Sequence, residues 1–325
     1  MKAIVYHHYG SPDVLQCEEV EKPTPGDNQV LIKIHAASVN ALDGHRLRKS
    51  LIIRLTNGIL KPKDQRTGVD LAGRVEAVGS NITQFQPGDE VFGRGMGAFA
   101  EYVCAREDNV VLKPTTITFE AAAAVPVAAL TALQALRDKG QIQPGQKVLI
   151  YGAGGGVGTF AVQIAKSFGA EVTAVCSTQN LDMVRSIGAD HVIDYTQEDF
   201  IRNGQRYDLI LGVNGYHPIL EYRRALTPNG IYVFVGASKH RLFRALFQAM
   251  LLGPLLSRTG KQKMGWMMCK PTQKDLVSVK ELLEAGKVSP VIDRRYPLSE
   301  TAEAIRYLEE GHARGKVVIT FEYNN

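Results

Sequence analysis

Cysteine is scarce: four in 325 residues, Cys17, Cys104, Cys176 and Cys269, scattered along the chain. Such spacing offers no disulfide framework and reads as free thiols of a reducing compartment. An excess of one charge is missing too. Lysine and arginine number 38 against 33 aspartates and glutamates, a net of +5, and no basic stripe is interleaved with aromatics, which sets nucleic-acid binding aside. Long hydrophobic runs are also absent. The longest, Ala245 to Leu256, is interrupted by Gln248, Gly253 and Pro254 and is shorter than the roughly 20 residues a membrane helix needs. The opening Met1-Lys2-Ala3-Ile4-Val5-Tyr6 is a strand pattern without a signal-peptide core, so a cytoplasmic location is expected.

What is present is an ordinary globular composition, 45% apolar and 22% charged, in a chain long enough for two domains. Its most informative stretch is Val148-Leu149-Ile150-Tyr151-Gly152-Ala153-Gly154-Gly155-Gly156-Val157-Gly158, followed by the helical pattern Phe160 to Lys166 and a second strand, Glu171 to Cys176. An apolar strand that ends in glycines and enters a helix presents backbone N–H groups to a dinucleotide pyrophosphate. Gly152 permits the turn, Gly155 lets the backbone approach the phosphates, and Gly158 lets helix and strand pack closely; Gly156 and Val157, between them, are counted as cofactor-binding with the turn.

The second strand bears on the choice of nucleotide. An NAD site places an acid about 20 residues past the glycines to hold the ribose 2′-hydroxyl. Here that region reads Ser177-Thr178-Gln179-Asn180. A carboxylate 4 Å from a 2′-phosphate would cost about 4 kcal/mol at an effective dielectric of 20, whereas hydroxyls donate to phosphate oxygens. NADPH is therefore the expected cofactor and NADH the alternative, with a modest margin because no Arg or Lys lies in this stretch to pair the phosphate. Tyr195 is a candidate to fold back toward it; a core-edge tyrosine is its plainer reading.

Residues 1–120 alternate short apolar runs with turn chemistry, as in Pro87-Gly88-Asp89-Glu90-Val91, and suggest a β-rich, partly closed barrel. From Phe119 an alanine-rich helix, Glu120 to Leu136, leads into alternating strands and helices, the pattern of a doubly wound parallel sheet in an α/β protein. Two amphipathic helices, Lys274 to Ala285 and Thr301 to Glu310, and a strand from Lys316 to Phe321 close the chain. They need a partner for their apolar faces, so the expected domains are 1–120 with 266–325, and an inserted nucleotide unit at 121–265.

The segments Ala37-Ser38-Val39-Asn40-Ala41-Leu42-Asp43, Gly68 to Gly79, the Pro87 turn, Pro126 to Ala132 and the glycine turn together resemble the medium-chain dehydrogenase/reductase superfamily along essentially the whole chain. Within it the chain is most similar to the zinc-independent quinone oxidoreductase branch. The resemblance implies a GroES-like β domain carrying an inserted Rossmann unit, reduction of quinones or α,β-unsaturated carbonyls, and a homodimer. Asn40 matches a residue near the nicotinamide that donates its amide to the acceptor oxygen, and Thr131 matches a nicotinamide contact. Val213 and Asn214, and then Gly236, Ala237 and Ser238, end strands of the nucleotide unit where cofactor contacts fall. Relatives carry a tyrosine a few residues after the asparagine where this chain has His45, a candidate proton donor. Asp43 reads as the cap of a helix from Gly44 to Lys49.

Zinc-bearing members have Cys where this chain has Asn40 and His-Glu where it has Val69-Asp70. Catalytic zinc takes three protein ligands, and only Asp70 remains; Cys104, alone in its region, excludes a four-cysteine lobe. No bound metal is expected, and a conjugated acceptor, which delocalises incoming charge itself, suits such a site. Two rivals stand beside this reading. One is a nucleotide-binding module with little turnover that docks on a membrane surface or partner through the apolar and basic segment 239–258; the other is a zinc-dependent alcohol dehydrogenase.

Overall fold

The computed structural model describes the chain apart from residues 49–57, 59–60, 215–216, 237–245, 259 and 324–325. Two compact units emerge, one of Met1–Ala128, Pro271–Glu284 and Pro290–Asn325, the other of Ala129–Lys270 and Ala285–Ser289.

In the first unit, β1 (Lys2–Val5) and β2 (Gln16–Glu19) form a hairpin-like pair, and β3 (Gln29–Val39), β4 (Asp70–Val78), β5 (Glu90–Arg94), β6 (Tyr102–Arg106) and β7 (Val110–Leu112) belong to the larger sheet. In the second unit, β8 (Lys147–Tyr151), β9 (Glu171–Cys176), β10 (His191–Asp194), β11 (Tyr207–Gly212), β12 (Leu226–Phe234) and β13 (Lys263–Trp266) form a sheet. The chain then returns to the first unit with β14 (Ile292–Pro297) and β15 (Lys316–Thr320).

The large sheet runs β14-β15-β3-β4-β5-β7, with β6 also on β3. Eleven residues long and carrying three partners, β3 pairs β6 through Gln29–Lys33 and β15 through Ala36–Val39. Register shifts at Leu31/Ile32 and Ile34/Ala36 let it bend between them. Ile32 and Ile34 of β3, Leu71 of β4 and Phe99 are fully buried in one core.

The second sheet is all parallel in the order β10-β9-β8-β11-β12-β13. Val148, Leu149, Ile150, Leu209, Ile210 and Leu211 are at 0% exposure, as both-face burial of a parallel sheet demands. The short Lys-Met-Gly-Trp strand β13 carries no alternating pattern and is not legible in sequence.

Two helices depart from expectation for local reasons. The alanine-rich segment is two helices, Phe119–Ala123 and Pro126–Gln134, because Pro126 has no N–H to continue the ladder and restrains Val125. The helix expected at Gly44 to Lys49 is Ala41–Leu47, capped by Asn40, with Asp43 inside its first turn reaching back to the Asn40 N–H at 2.8 Å; the Asn-x-x-Asp spacing is a capping box.

Candidate active site

Candidate functional residues lie in both units. In the second unit the sheet reverses winding between β8 and β11, and ligands of open α/β sheets bind at the carboxyl ends of strands at such a point. Gly152 follows β8 with φ +88°, and a Cβ there would sit 2.9 Å from the Asn214 nitrogen. At Gly158 a Cβ would lie 2.1 Å from the Gly152 carbonyl oxygen. Gly155 differs: its nearest neighbour would be that same oxygen at 3.8 Å, so the space beside it is open. It caps a 12-residue helix, Gly156–Ser167, without a side-chain cap, which leaves the first-turn N–H groups of Gly156, Val157 and Gly158 without helical acceptors.

Around this turn stand the ends of neighbouring strands. Val213 and Asn214 both donate backbone N–H groups to the Tyr151 carbonyl, at 3.0 and 3.3 Å, and Gly236 donates to the Gly212 carbonyl at 3.1 Å. Ala237 and Ser238 lie outside the described residues. Tyr195, half exposed, borders a cavity of about 500 Å³ with Tyr151, Phe200 and His217 that none of the turn glycines line. Thr131 sits in the helix Pro126–Gln134.

Two residues here were not legible in sequence. Asn180 is buried, donates to Ser177 Oγ at 3.0 Å, and leaves its Oδ1 with no hydrogen-bond partner among the described residues. Asp194 ends β10 opposite Cys176 and takes the Thr178 hydroxyl at 2.6 Å and the Thr196 hydroxyl at 2.8 Å. The Thr178 hydrogen bond holds the Asp194 carboxyl below its ordinary range. An acid therefore does flank the end of β9, supplied by the adjacent strand, and the Thr178 hydroxyl expected to face a phosphate is already committed. Counting residues along one strand cannot find a group contributed by the next.

These features fit a nicotinamide dinucleotide. An uncapped helix N-terminus, open space at Gly155 and an orphaned buried amide oxygen at Asn180 are the groups a pyrophosphate and a ribose hydroxyl would satisfy.

In the first unit, adjacent strands β15, β3 and β4 bring Lys316, Asn40 and Asp70 to one end of the sheet; Val317 pairs Val39 and Ser38 pairs Asp70. The Asn40 amide nitrogen donates to Asp70 Oδ2 at 2.9 Å and, at the long limit of 3.4 Å, to the Ser38 carbonyl. Its carbonyl oxygen accepts from Lys316 Nζ at 2.7 Å. Ser38 Oγ donates to Asp70 Oδ2 at 3.0 Å, and the Val127 N–H donates to Asp70 Oδ1 at 3.0 Å. Ser38, Asp43 and Asp70 are fully buried, Lys316 is 3% exposed and Asn40 8%. His45 is half-buried on the helix Ala41–Leu47. Lys316 was legible only as the head of a strand, a position where lysine is normally solvated.

Burial pushes the Asp43 carboxyl from 3.8 up to about 7, helped by the nearby Asp70 charge and opposed by the Asn40 N–H bond and by Lys316. Burial also lowers Lys316, against the pull of Asp70 and Asp43. Because folding raises the Asp43 value, its contribution to stability is present in full below pH 3.8 and is lost as pH rises through about 7. The variant D43N cannot ionise and keeps an oxygen for the Asn40 N–H. Its Tm, measured by calorimetry from pH 5 to 8, is expected to fall less steeply than the wild type's; parallel profiles would refute the assignment.

The matching sequence families are described as "Alcohol dehydrogenase GroES-like domain", over residues 26–115, and "Zinc-binding dehydrogenase", over residues 187–319. The chain is 31% identical to a chloroplast envelope quinone oxidoreductase homolog of Arabidopsis thaliana, over 98% of both chains. The chain belongs to the medium-chain dehydrogenase/reductase superfamily, in its quinone oxidoreductase branch. It is also 33% identical to the NADPH-dependent alkenal/one oxidoreductase of Arabidopsis thaliana, over 98% of this chain and 79% of that protein. The solved quinone oxidoreductase of Coxiella burnetii superimposes with a TM-score of 0.87 at 30% identity, over 99% of each chain.

The residues present do not fit the zinc that the second family description names. Val69 is an apolar core residue, Asn40 offers a neutral amide, and the Asp70 carboxylate already receives Ser38, Asn40, Val127 and the Lys316 ammonium, a fixed cation that would repel a metal dication.

Proposed function

We propose that this protein is a NAD(P)H-dependent reductase of quinones and α,β-unsaturated carbonyls that works without zinc. The observation that carries the reading is the buried Lys316–Asn40–Asp70 set, in which an amide donor with a cation on its carbonyl end stands where a metal-dependent relative would need ligands. The names of the related quinone and alkenal/one oxidoreductases support the acceptor class.

The glycine turn and the first turn of the helix Gly156–Ser167 would hold the pyrophosphate, with Ser177 and Asn180 at the adenosine ribose and Val213, Asn214 and Gly236 along the strand ends. A bound reduced nicotinamide supplies a hydride. A quinone or enone spreads the incoming charge over its own conjugated system, so a single well-placed donor can stabilise the developing oxyanion. Asn40 supplies it, through the N–H that makes the long 3.4 Å contact to the Ser38 carbonyl. His45 is assigned as the acid that gives one proton to the anion left by hydride addition, so that hydride plus proton supply the two electrons and two hydrogens of the reduction. Thr131 contacts the nicotinamide end.

Mixing the purified protein with NADPH and a panel of quinones and enones should bleach the near-ultraviolet absorbance of the reduced nicotinamide. No oxidation across the panel would overturn the reading, and stoichiometric zinc by elemental analysis would overturn its metal-free form.

Nucleotide choice is the finer part of the proposal. NADPH is accepted through Ser177, but Asp194 opposes the extra phosphate and removes Thr178 as a donor. The dissociation constants of NADPH and NADH are expected to lie within about tenfold of each other. D194N should move the ratio toward NADPH by about three- to tenfold; an unchanged ratio in a binding titration would show that Asp194 plays no part.

A homodimer belongs to the same reading. Its support is the unpaired outer edge of β13 in the described sheet and the exposed Phe247 and Leu255 on the described part of the segment 239–258, of which 239–245 lie outside the described residues. No helix among the described residues is long and apolar enough to cross a membrane.

A further inference from the structure

The three N–H bonds of the Lys316 ammonium are directed at three oxygens: Asn40 Oδ1 at 2.7 Å, the Val39 carbonyl at 3.2 Å and Asp70 Oδ2 at 3.5 Å. Burying a lysine and a carboxylate together is costly, and a pair of apolar residues of similar size commonly serves stability as well or better. Stability alone therefore does not account for this cluster. Its geometry does something an apolar pair could not.

An asparagine amide has two ends of nearly the same shape and opposite polarity. Here a cation holds the carbonyl end and a carboxylate the amino end. Turning the amide over would place its N–H groups against the ammonium and its oxygen against the carboxylate, so both charges select the same orientation. In that orientation one N–H is engaged by Asp70 and the other, among the described residues, meets only the Ser38 carbonyl at 3.4 Å. Asp70 carries the frame further. Its second oxygen takes the Val127 N–H in the first turn of the helix Pro126–Gln134, the helix on which Thr131 stands.

We propose that Lys316 is a positioning residue: acting through Asn40 and Asp70, its ammonium fixes the amide that polarises the acceptor and the first turn of the helix bearing Thr131. The inference rests on the reductase reading above for its catalytic consequence, but the positioning itself is measurable without turnover. The gain is the usual one from holding a reacting group in its productive orientation before substrate arrives.

The variants K316M, D70N and K316M/D70N of the full chain separate positioning from mere stability. K316M leaves a buried carboxylate without its cation and should lower Tm; the double variant removes both charges and should recover most of that loss. If Lys316 only stabilised the fold, kcat would recover with Tm. Under the proposal, kcat for a para-benzoquinone stays about 30-fold or more below wild type in the folded double variant, while KM and the NADPH dissociation constant change by less than about twofold. Amide hydrogen exchange of peptides spanning 38–47 and 124–131 should quicken about tenfold or more in the double variant. A double variant with wild-type kcat, or with unchanged exchange in both peptides, overturns the proposal. A wild-type protein that reduces no quinone or enone overturns the reductase reading instead, and the exchange measurement still decides whether Lys316 positions these segments.

Discussion

Replacing Gly158 with alanine is expected to destabilise the nucleotide unit by about 3 kcal/mol or more and to abolish dinucleotide binding, whereas Gly155→Ala should leave the fold intact and weaken binding alone. The new methyl at Gly158 would lie 2.1 Å from the Gly152 carbonyl oxygen and 2.7 Å from the Ala153 Cα. Both are backbone atoms of the same turn, so neither can swing aside; the helix Gly156–Ser167 would have to lift off β8. The space at Gly155 is open, its backbone is extended at φ −90° and ψ 176°, and the added methyl would occupy volume that a pyrophosphate needs. Calorimetry and a fluorescence titration with NADPH distinguish the two. A wild-type Tm for G158A would refute the packing argument, and wild-type affinity for G155A would show that phosphates do not approach that position.

The second large effect is at Asn40. N40A should lower kcat for quinones by about 10²- to 10³-fold, the scale on which removing one preorganised donor to a developing oxyanion acts. Dinucleotide affinity should stay within about twofold, because the glycine turn belongs to a unit with its own core. Asn40 also bonds the buried Asp70 carboxylate and Lys316 ammonium, so a stability cost of about 1–3 kcal/mol accompanies the substitution, and the melt checks that N40A stays folded. A kcat for N40A within threefold of wild type would remove Asn40 from the reaction. Steady-state kinetics alongside a thermal melt make the test.

How much of this was legible beforehand varied from element to element. Thr301–Glu310 was readable to the residue, because its apolar positions recur at helical spacing and Gly311, at φ +80°, stops it. The glycine turn was readable because strand, turn and helix are contiguous and each glycine meets its constraint within a few residues. At Pro126 the alanine pattern misleads: alanine favours helix, yet one proline removes a ladder N–H whatever its neighbours prefer. Asn40 and Asp43 can each begin a helix in sequence, and only the observed bond from the Asn40 N–H to Asp43 places the start at Ala41, one turn before the expected one.

The sequence by itself determined the alternation of strands and helices, the glycine turn between strand and helix, and the superfamily. These are local properties, written in spacings of a few residues. Only the tertiary structure decided that Lys316 meets Asp70, 246 positions away, and that Asp194 reaches across from β10 to take the Thr178 hydroxyl. The physical reason is that strand pairing places side chains from remote segments at one sheet end, and only burial there makes a lysine or an aspartate a fixed charge. A solvated lysine at the head of a strand and a buried one look alike in sequence; the pairing of β15 with β3 makes Lys316 the latter.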